Sequence, residues 1–200
     1  MIRRILIMLP LTFLFILPVN SQEADSAMVM GKNRIVYKGR IYKQNAPYLT
    51  LAYGGGYGFE SDLIEQNMTV AYQHFLKGVG LRIGYHSSSD TKIWWRSYQK
   101  LNDLFIGIGH RWEGNRFNIA LFGGPSFAYG SYIAWNEARQ KDWAYGFTTL
   151  GGHGEIQMTY KLMYDLGIGL SLYGSLNRWY SAAGGQIHLF FSTSFVRNYD

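Results

Sequence analysis

A chain of 200 residues, 48% hydrophobic and without cysteine, is long enough for one sizeable domain. The missing thiols exclude a disulfide framework, a thiolate metal site and a lipidated N-terminal cysteine. The formal net charge of +6 is mild: from Gln22 onward the chain keeps 17 of its 19 Lys and Arg and all 13 acidic residues, a net of +4. So mild a surplus does not by itself call for nucleic acid.

Residues 1–21 have the parts of a cleaved signal peptide. Arg3 and Arg4 form the positive end, Ile5 to Val19 the apolar stretch, and Val19-Asn20-Ser21 the small or modest residues before a cut at Gln22. A retained spanning helix would need roughly 20 apolar residues. This run is shorter and is broken by Pro10 and Pro18. Residues 22–46 read as a periplasmic lead-in. Within it, Arg34-Ile35-Val36-Tyr37-Lys38 and Arg40-Ile41-Tyr42-Lys43 predict a short strand pair turning at Gly39. The five bases from Lys32 to Lys43 read as a solvated face.

From there an apolar/small alternation begins, with Leu49, Leu51, Tyr53 and Tyr57 interleaved with Thr50, Ala52, Gly54 and Gly56. Period 2 means strands with one oily face and one small or polar face. The pattern predicts eight strands near 48–59, 66–75, 79–88, 102–112, 116–130, 145–160, 164–176 and 184–195. The connections at 76–78, 113–115 and 161–163 are tight. Longer loops are expected over Glu60–Glu65, Ser89–Leu101, Ser131–Ala144 and Asn177–Ala183. Short turns at one end and long loops at the other is the layout of bacterial membrane barrels, with turns periplasmic and loops extracellular. An even strand count puts both termini in the periplasm. A soluble sandwich or lipocalin-like barrel would turn its apolar face inward and carry charge on the other. Here the other face is mostly Gly, Ala, Ser and Thr. The expected fold class is therefore all-β: an eight-stranded antiparallel up-and-down transmembrane β-barrel over 47–195, with 196–200 as a C-terminal tail.

On this pattern the chain resembles the small eight-stranded outer-membrane barrels of the OmpA/OmpX type, and is similar to examples from Bacteroidota. The resemblance covers 47 to 195 and implies a fold and a place in the bacterial outer membrane rather than a chemistry. One departure is visible. Such barrels end on an aromatic residue that the insertion machinery reads, whereas here Leu189-Phe190-Phe191 leads to Phe195 and five residues follow.

Carrying the alternation through each strand predicts an interior containing Arg82, His86, Ser88, Asp103, Arg111, His153, Glu155, Gln157, Asp165, Tyr173, Gln186 and His188. An eight-stranded barrel is only wide enough for side chains to fill it, and buried charges must pair. Arg82 is expected on Glu155, with His153 and His188 in the same network, and Arg111 on Asp165 near the periplasmic mouth. Two readings stand: a structural plug, or a gated proton or ion path. The five histidines fall on five predicted strands, so no metal signature stands out, and nothing calls for a cofactor.

Gly84-Tyr85-His86-Ser87-Ser88-Ser89-Asp90 resembles the His-x-Ser element of outer-membrane lipid A deacylases, which implies His86 as base and Ser88 as nucleophile. Against that, parity turns both side chains into the lumen, and Ser89 stands where that element has Asn. The loops carry a second pattern, with Trp94, Trp95 and Arg96 in the second, Trp135, Arg139, Lys141 and Trp143 in the third, and Arg178, Trp179 and Tyr180 in the fourth. Such residues serve either as an aromatic girdle with bases on lipid phosphate or as a surface for sugars and anions. The functional expectation is a non-enzymatic barrel whose lumen is plugged. Its partners are outer-membrane lipid, lipopolysaccharide or an extracellular glycan. The alternatives are an outer-leaflet lipid-modifying enzyme and a subunit of a larger envelope complex.

Overall fold

The computed structural model describes residues 28–29, 34–76, 79–90, 99–114 and 116–198. The signal-peptide reading therefore lies outside the described residues, as does the Trp94-Trp95-Arg96 cluster. Eight strands close a barrel: β4 (Tyr48–Gly58), β5 (Leu63–Leu76), β6 (Val79–Ser89), β7 (Lys100–Glu113), β8 (Phe117–Asn136), β9 (Lys141–Lys161), β10 (Leu166–Asn177) and β11 (Ala182–Ser192). Each pairs antiparallel with its chain neighbours, and β11 returns to β4 over a register from Ala182↔Gly58 to Ser192↔Tyr48.

The alternation explains the closure. On β4, Leu49, Leu51 and Tyr53 are exposed while Thr50 and Ala52 are buried. On β7, Leu104, Ile106 and Ile108 point out while Asp103 and Phe105 point in. A surface on which Ile108 is 65% exposed and Leu170 64% suits hydrocarbon rather than water. The interior accepts little volume. A Cβ on Gly84 would lie 2.4 Å from the Phe105 ring and 2.7 Å from the Ala71 Cβ. No side chain larger than hydrogen fits that close approach.

A second sheet, ordered β1-β2-β3-β12, comprises β1 (Met28–Val29), β2 (Arg34–Tyr37), β3 (Arg40–Lys43) and β12 (Phe195–Asn198). The expected β2–β3 pair forms and turns at Lys38-Gly39, where both φ angles are positive at 49° and 69°. Positive φ at both central residues gives the twist that a two-residue hairpin needs, and glycine adopts it freely. Tyr37 and Tyr42 pack on Tyr164 in the β9–β10 turn, with ring centroids 6.1 and 4.9 Å away. The Asn45 amide donates to Glu113 at 3.0 Å, so the sheet is docked against the turn end of the barrel.

Four expectations need correction. The last barrel strand ends at Ser192 rather than 195. The expected tail is in its described part a strand, β12, hydrogen-bonded to β3 after the chain bends at Thr193, whose amide donates to the Pro47 carbonyl at 3.2 Å. The third loop is mostly strand, since β8 and β9 stay paired to Asn136↔Lys141 and leave only 137–140 as a turn. Finally, β5 begins at Leu63, which moves Glu65 out of a loop and into the barrel wall.

Candidate functional site

The lumen is filled in layers. At the turn end, Arg111 pairs with Glu113 at 2.8 Å, and Lys161 pairs with the same carboxylate at 2.9 Å. The Arg111 guanidinium also lies 4.8 Å from the Tyr48 ring centre and 4.4 Å from that of Phe75. Asp165 is not the partner of Arg111. It sits half-buried in the β9–β10 turn, where its carbonyl accepts from the Ser192 amide at 2.7 Å. Glu113 shares the inward parity of Arg111, so the strand running one step beyond its expected end at 112 decides the pairing.

Next comes the expected central pair, with Arg82 to Glu155 at 2.5 Å and both side chains only 1% exposed. Gln157 donates to Glu155 at 2.8 Å and accepts from the Tyr48 hydroxyl at 3.3 Å. With its amide oxygen facing Arg82, Gln73 accepts from the guanidinium on the other side. His153 lies between two acids, 3.9 Å from Asp103 and 4.0 Å from Glu155, and stacks on Phe105 at 4.1 Å. His188 is buried in the same lumen but bonds Thr159 at 2.9 Å. It makes no direct hydrogen bond to the Arg82–Glu155 pair.

Higher up, the single Thr69 proton goes to Gln186 at 3.0 Å, so His86 Nδ1, 2.8 Å away, is the donor to Thr69. Gln186 in turn donates to Asn67 at 2.7 Å, which donates to the Tyr173 hydroxyl at 2.9 Å. Ser175 donates to Asp103. Ser88 donates to Glu65 and not to His86. The His86/Ser88 base–nucleophile arrangement therefore does not form, and both residues are fully buried.

The loop end is corked. Leu101, Ala128, Phe147, Tyr173, Tyr180 and Ala182 form a buried apolar cluster. Tyr180, expected on an exposed binding loop, has no exposed surface and donates its hydroxyl to Glu65. Burial and then the Glu65 carboxylate raise that hydroxyl above its ordinary range, so it stays a donor. Asn177 sets this geometry by accepting from the Trp179 and Tyr180 amides, each at 2.9 Å, in an Asx turn.

Above the cork, among the described residues, the β8–β9 hairpin extends past the paired ends of the strands that flank it. β7 pairs with β8 only as far as Ser131, and β10 pairs with β9 only as far as Gly151. On the hairpin the Tyr132 ring lies 5.8 Å from both Tyr145 and Trp179, tilted 28° and 15°. Arg139 lies 3.7 Å over the Trp143 ring and Lys141 5.7 Å, while Arg178 lies 5.1 Å over Trp179. Trp135 is 59% exposed, on the outward face beside Ile133. A groove of about 350 Å³ runs along Ile133, Lys141, Asp142, Trp143 and Ala144. Reading the sequence misses Glu65, Glu113 and Lys161 as lumen charges. Extending the inward parity by one or two positions at strand ends finds all three.

No family model matches the chain, and no curated relative matches it in sequence. Solved structures do share the architecture. The chain is similar to Neisserial surface protein A, at 8% identity and a TM-score of 0.58, over 73% of this chain and 96% of that one. It is similar to the N-terminal β-barrel domain of Pseudomonas aeruginosa OprF at 12% identity and a TM-score of 0.52, over 74% and 97%. It is also similar to Ail, the attachment invasion locus protein of Yersinia pestis, at 7% identity and a TM-score of 0.51, over 76% and 99%. The fold is that of the small eight-stranded outer-membrane β-barrels.

Proposed function

We propose that this protein is a plugged bacterial outer-membrane barrel, with its loops extracellular and its termini periplasmic, that holds an anionic glycolipid or glycan at its loop end. The platform at the loop end carries this reading: Tyr132 and Tyr145 of the hairpin meet Trp179 of the β10–β11 loop, and Arg139 and Arg178 cover neighbouring indoles. Flat aromatic faces suit sugar rings, and guanidinium forks suit phosphate or carboxylate. The cork and the ion-paired lumen beneath it fill the interior with packed and paired side chains. This supports a binding role over conduction. The hairpin also reaches past the ends of its neighbouring strands, further than a girdle residue needs to go.

Titrating lipopolysaccharide against the refolded protein tests this reading. Trp179→Ala together with Arg139→Ala and Arg178→Ala should weaken binding by about tenfold or more, since each exposed cation–π or stacking contact contributes about 0.5–1 kcal/mol. Equal affinity of the wild type and this triple variant would overturn it.

A further inference from the structure

We propose that the opposite end of the molecule carries a second site, a pocket for the phosphate-bearing headgroup of an anionic phospholipid. It is built between the β2–β3 hairpin and the β9–β10 turn. Tyr37, Lys38, Arg40, Tyr42, Leu162 and Met163 line a cavity of about 300 Å³. The lining thus combines two cations, two phenols and two apolar side chains, which is the chemistry of a charged headgroup on a hydrocarbon stem. The segment from Arg34 to Lys43 contains four cations and no carboxylate.

Position fits the same ligand. Leu162 and Met163 follow directly on β9, whose outward Tyr160 pairs with Phe117 of β8 at a ring distance of 5.2 Å. Exposed aromatics at the end of an apolar wall mark the level of lipid headgroups. Leu162 and Met163 are 55% and 51% exposed at that level, so acyl chains and phosphate would be met together. The docking of Tyr42 on Tyr164 holds the basic hairpin there.

The turn residues point the same way. Lys38 has φ of 49° in a two-residue turn where Asn, Asp or Gly would sit with less strain. A lysine there places a cation at the lip of the pocket, beside Tyr37, whose ring centre is 5.5 Å from its Nζ. Arg40 pairs with Tyr37 across the hairpin and shares a strand face with Tyr42, which places the second cation at the same pocket. A free phosphate would need the two cations only. The apolar pair argues for the lipid.

Native mass spectrometry of the full mature chain in detergent, titrated with phosphatidylglycerol or phosphatidylcholine, tests the site. Phosphatidylglycerol should be retained preferentially. Lys38→Gln and Arg40→Gln should each cut that preference about fivefold, the usual effect of one cation near an anionic surface. Met163→Glu, at an exposed position that leaves the buried tyrosines alone, should do the same by placing a carboxylate at the pocket. Equal retention of the two lipids would overturn the proposal, as would variants that keep the preference. Displacement of the lipid by millimolar inorganic phosphate would reassign the pocket to a free anion and likewise overturn it. Because the Trp179 and Arg178 variants leave this end intact, failure here is distinguishable from failure of the loop-end reading.

Discussion

Arg82 and Glu155 show how a narrow barrel tolerates charge. Both side chains are 1% exposed, and their pairing is joined on one side by Gln73 and on the other by Gln157 and Tyr48. Phe105 and Phe122 flank the guanidinium at 5.7 and 5.4 Å. Removing one partner strands the other in a buried site, which costs about 3–5 kcal/mol, whereas replacing both by well-packed apolar residues can be near neutral. Glu155→Gln and Arg82→Ala should therefore each lower stability by about that amount in urea unfolding from lipid vesicles. The double replacement Arg82→Met with Glu155→Leu should lose much less. At the cork, Tyr180→Phe removes one donor to buried Glu65, and about 1–3 kcal/mol should follow from the loss. A stability unchanged in that assay would mean that Glu65 finds another partner.

Among the elements, β8 and β9 are 20 and 21 residues long, against 11 to 14 for the other barrel strands. At about 3.3 Å per residue the surplus carries the hairpin past the paired ends of its flanking strands. Its turn needs no barrel contact: the Asn136 side chain and carbonyl both accept from the Arg139 amide, at 3.0 and 3.2 Å. Replacing Ile133–Ala144 by a two-residue Asn-Gly turn preserves the Tyr132–Tyr145 pair that packs over the cork. Such a variant should keep heat-modifiable gel mobility and lie within about 1 kcal/mol of the parent in stability, yet bind lipopolysaccharide more weakly, since Arg139 goes while the Tyr132, Tyr145 and Trp179 rings stay. The β2–β3 hairpin is the converse case, a short element held by tertiary contact. Two four-residue strands are too few to be stable alone, and the Ile35, Tyr37, Tyr42 and Tyr164 cluster supplies what they lack.

Taken whole, the molecule is a closed eight-stranded barrel whose lumen is lined with side chains at three levels. Leu101, Phe147 and Tyr180 lie at the loop end, the Arg82–Glu155 pair in the middle, and Arg111, Glu113 and Lys161 at the turn end. Planar bilayers containing the folded protein should accordingly show no discrete conductance steps. Stable steps from wild-type protein would require at least two of these layers to move together, and would replace the plug by a gated path.

Much of this architecture is legible in the residue order, because the side-chain period of a strand is 2 and one buried face makes a parity error costly along its whole length. That rule alone yields the barrel, its strand number, and the inward position of Arg82, His86, Asp103, His153, Glu155 and His188. It fails where periodicity stops being a constraint. At strand ends nothing in the pattern marks the last paired residue, so Glu65, Glu113 and Lys161 escape it and Arg111 is matched to Asp165. Beyond the apolar wall the hairpin reads as a loop, since its two faces are both aromatic and polar and no alternation survives. Tyr180 belongs by sequence to an exposed loop, and the Asx turn at Asn177 swings it into the mouth. Which face of each strand meets lipid is thus written locally, in chemistry repeated every second residue. Which charge meets which, and what covers each mouth, follows from register and closure between segments distant in the chain, and those exist only once the barrel has closed.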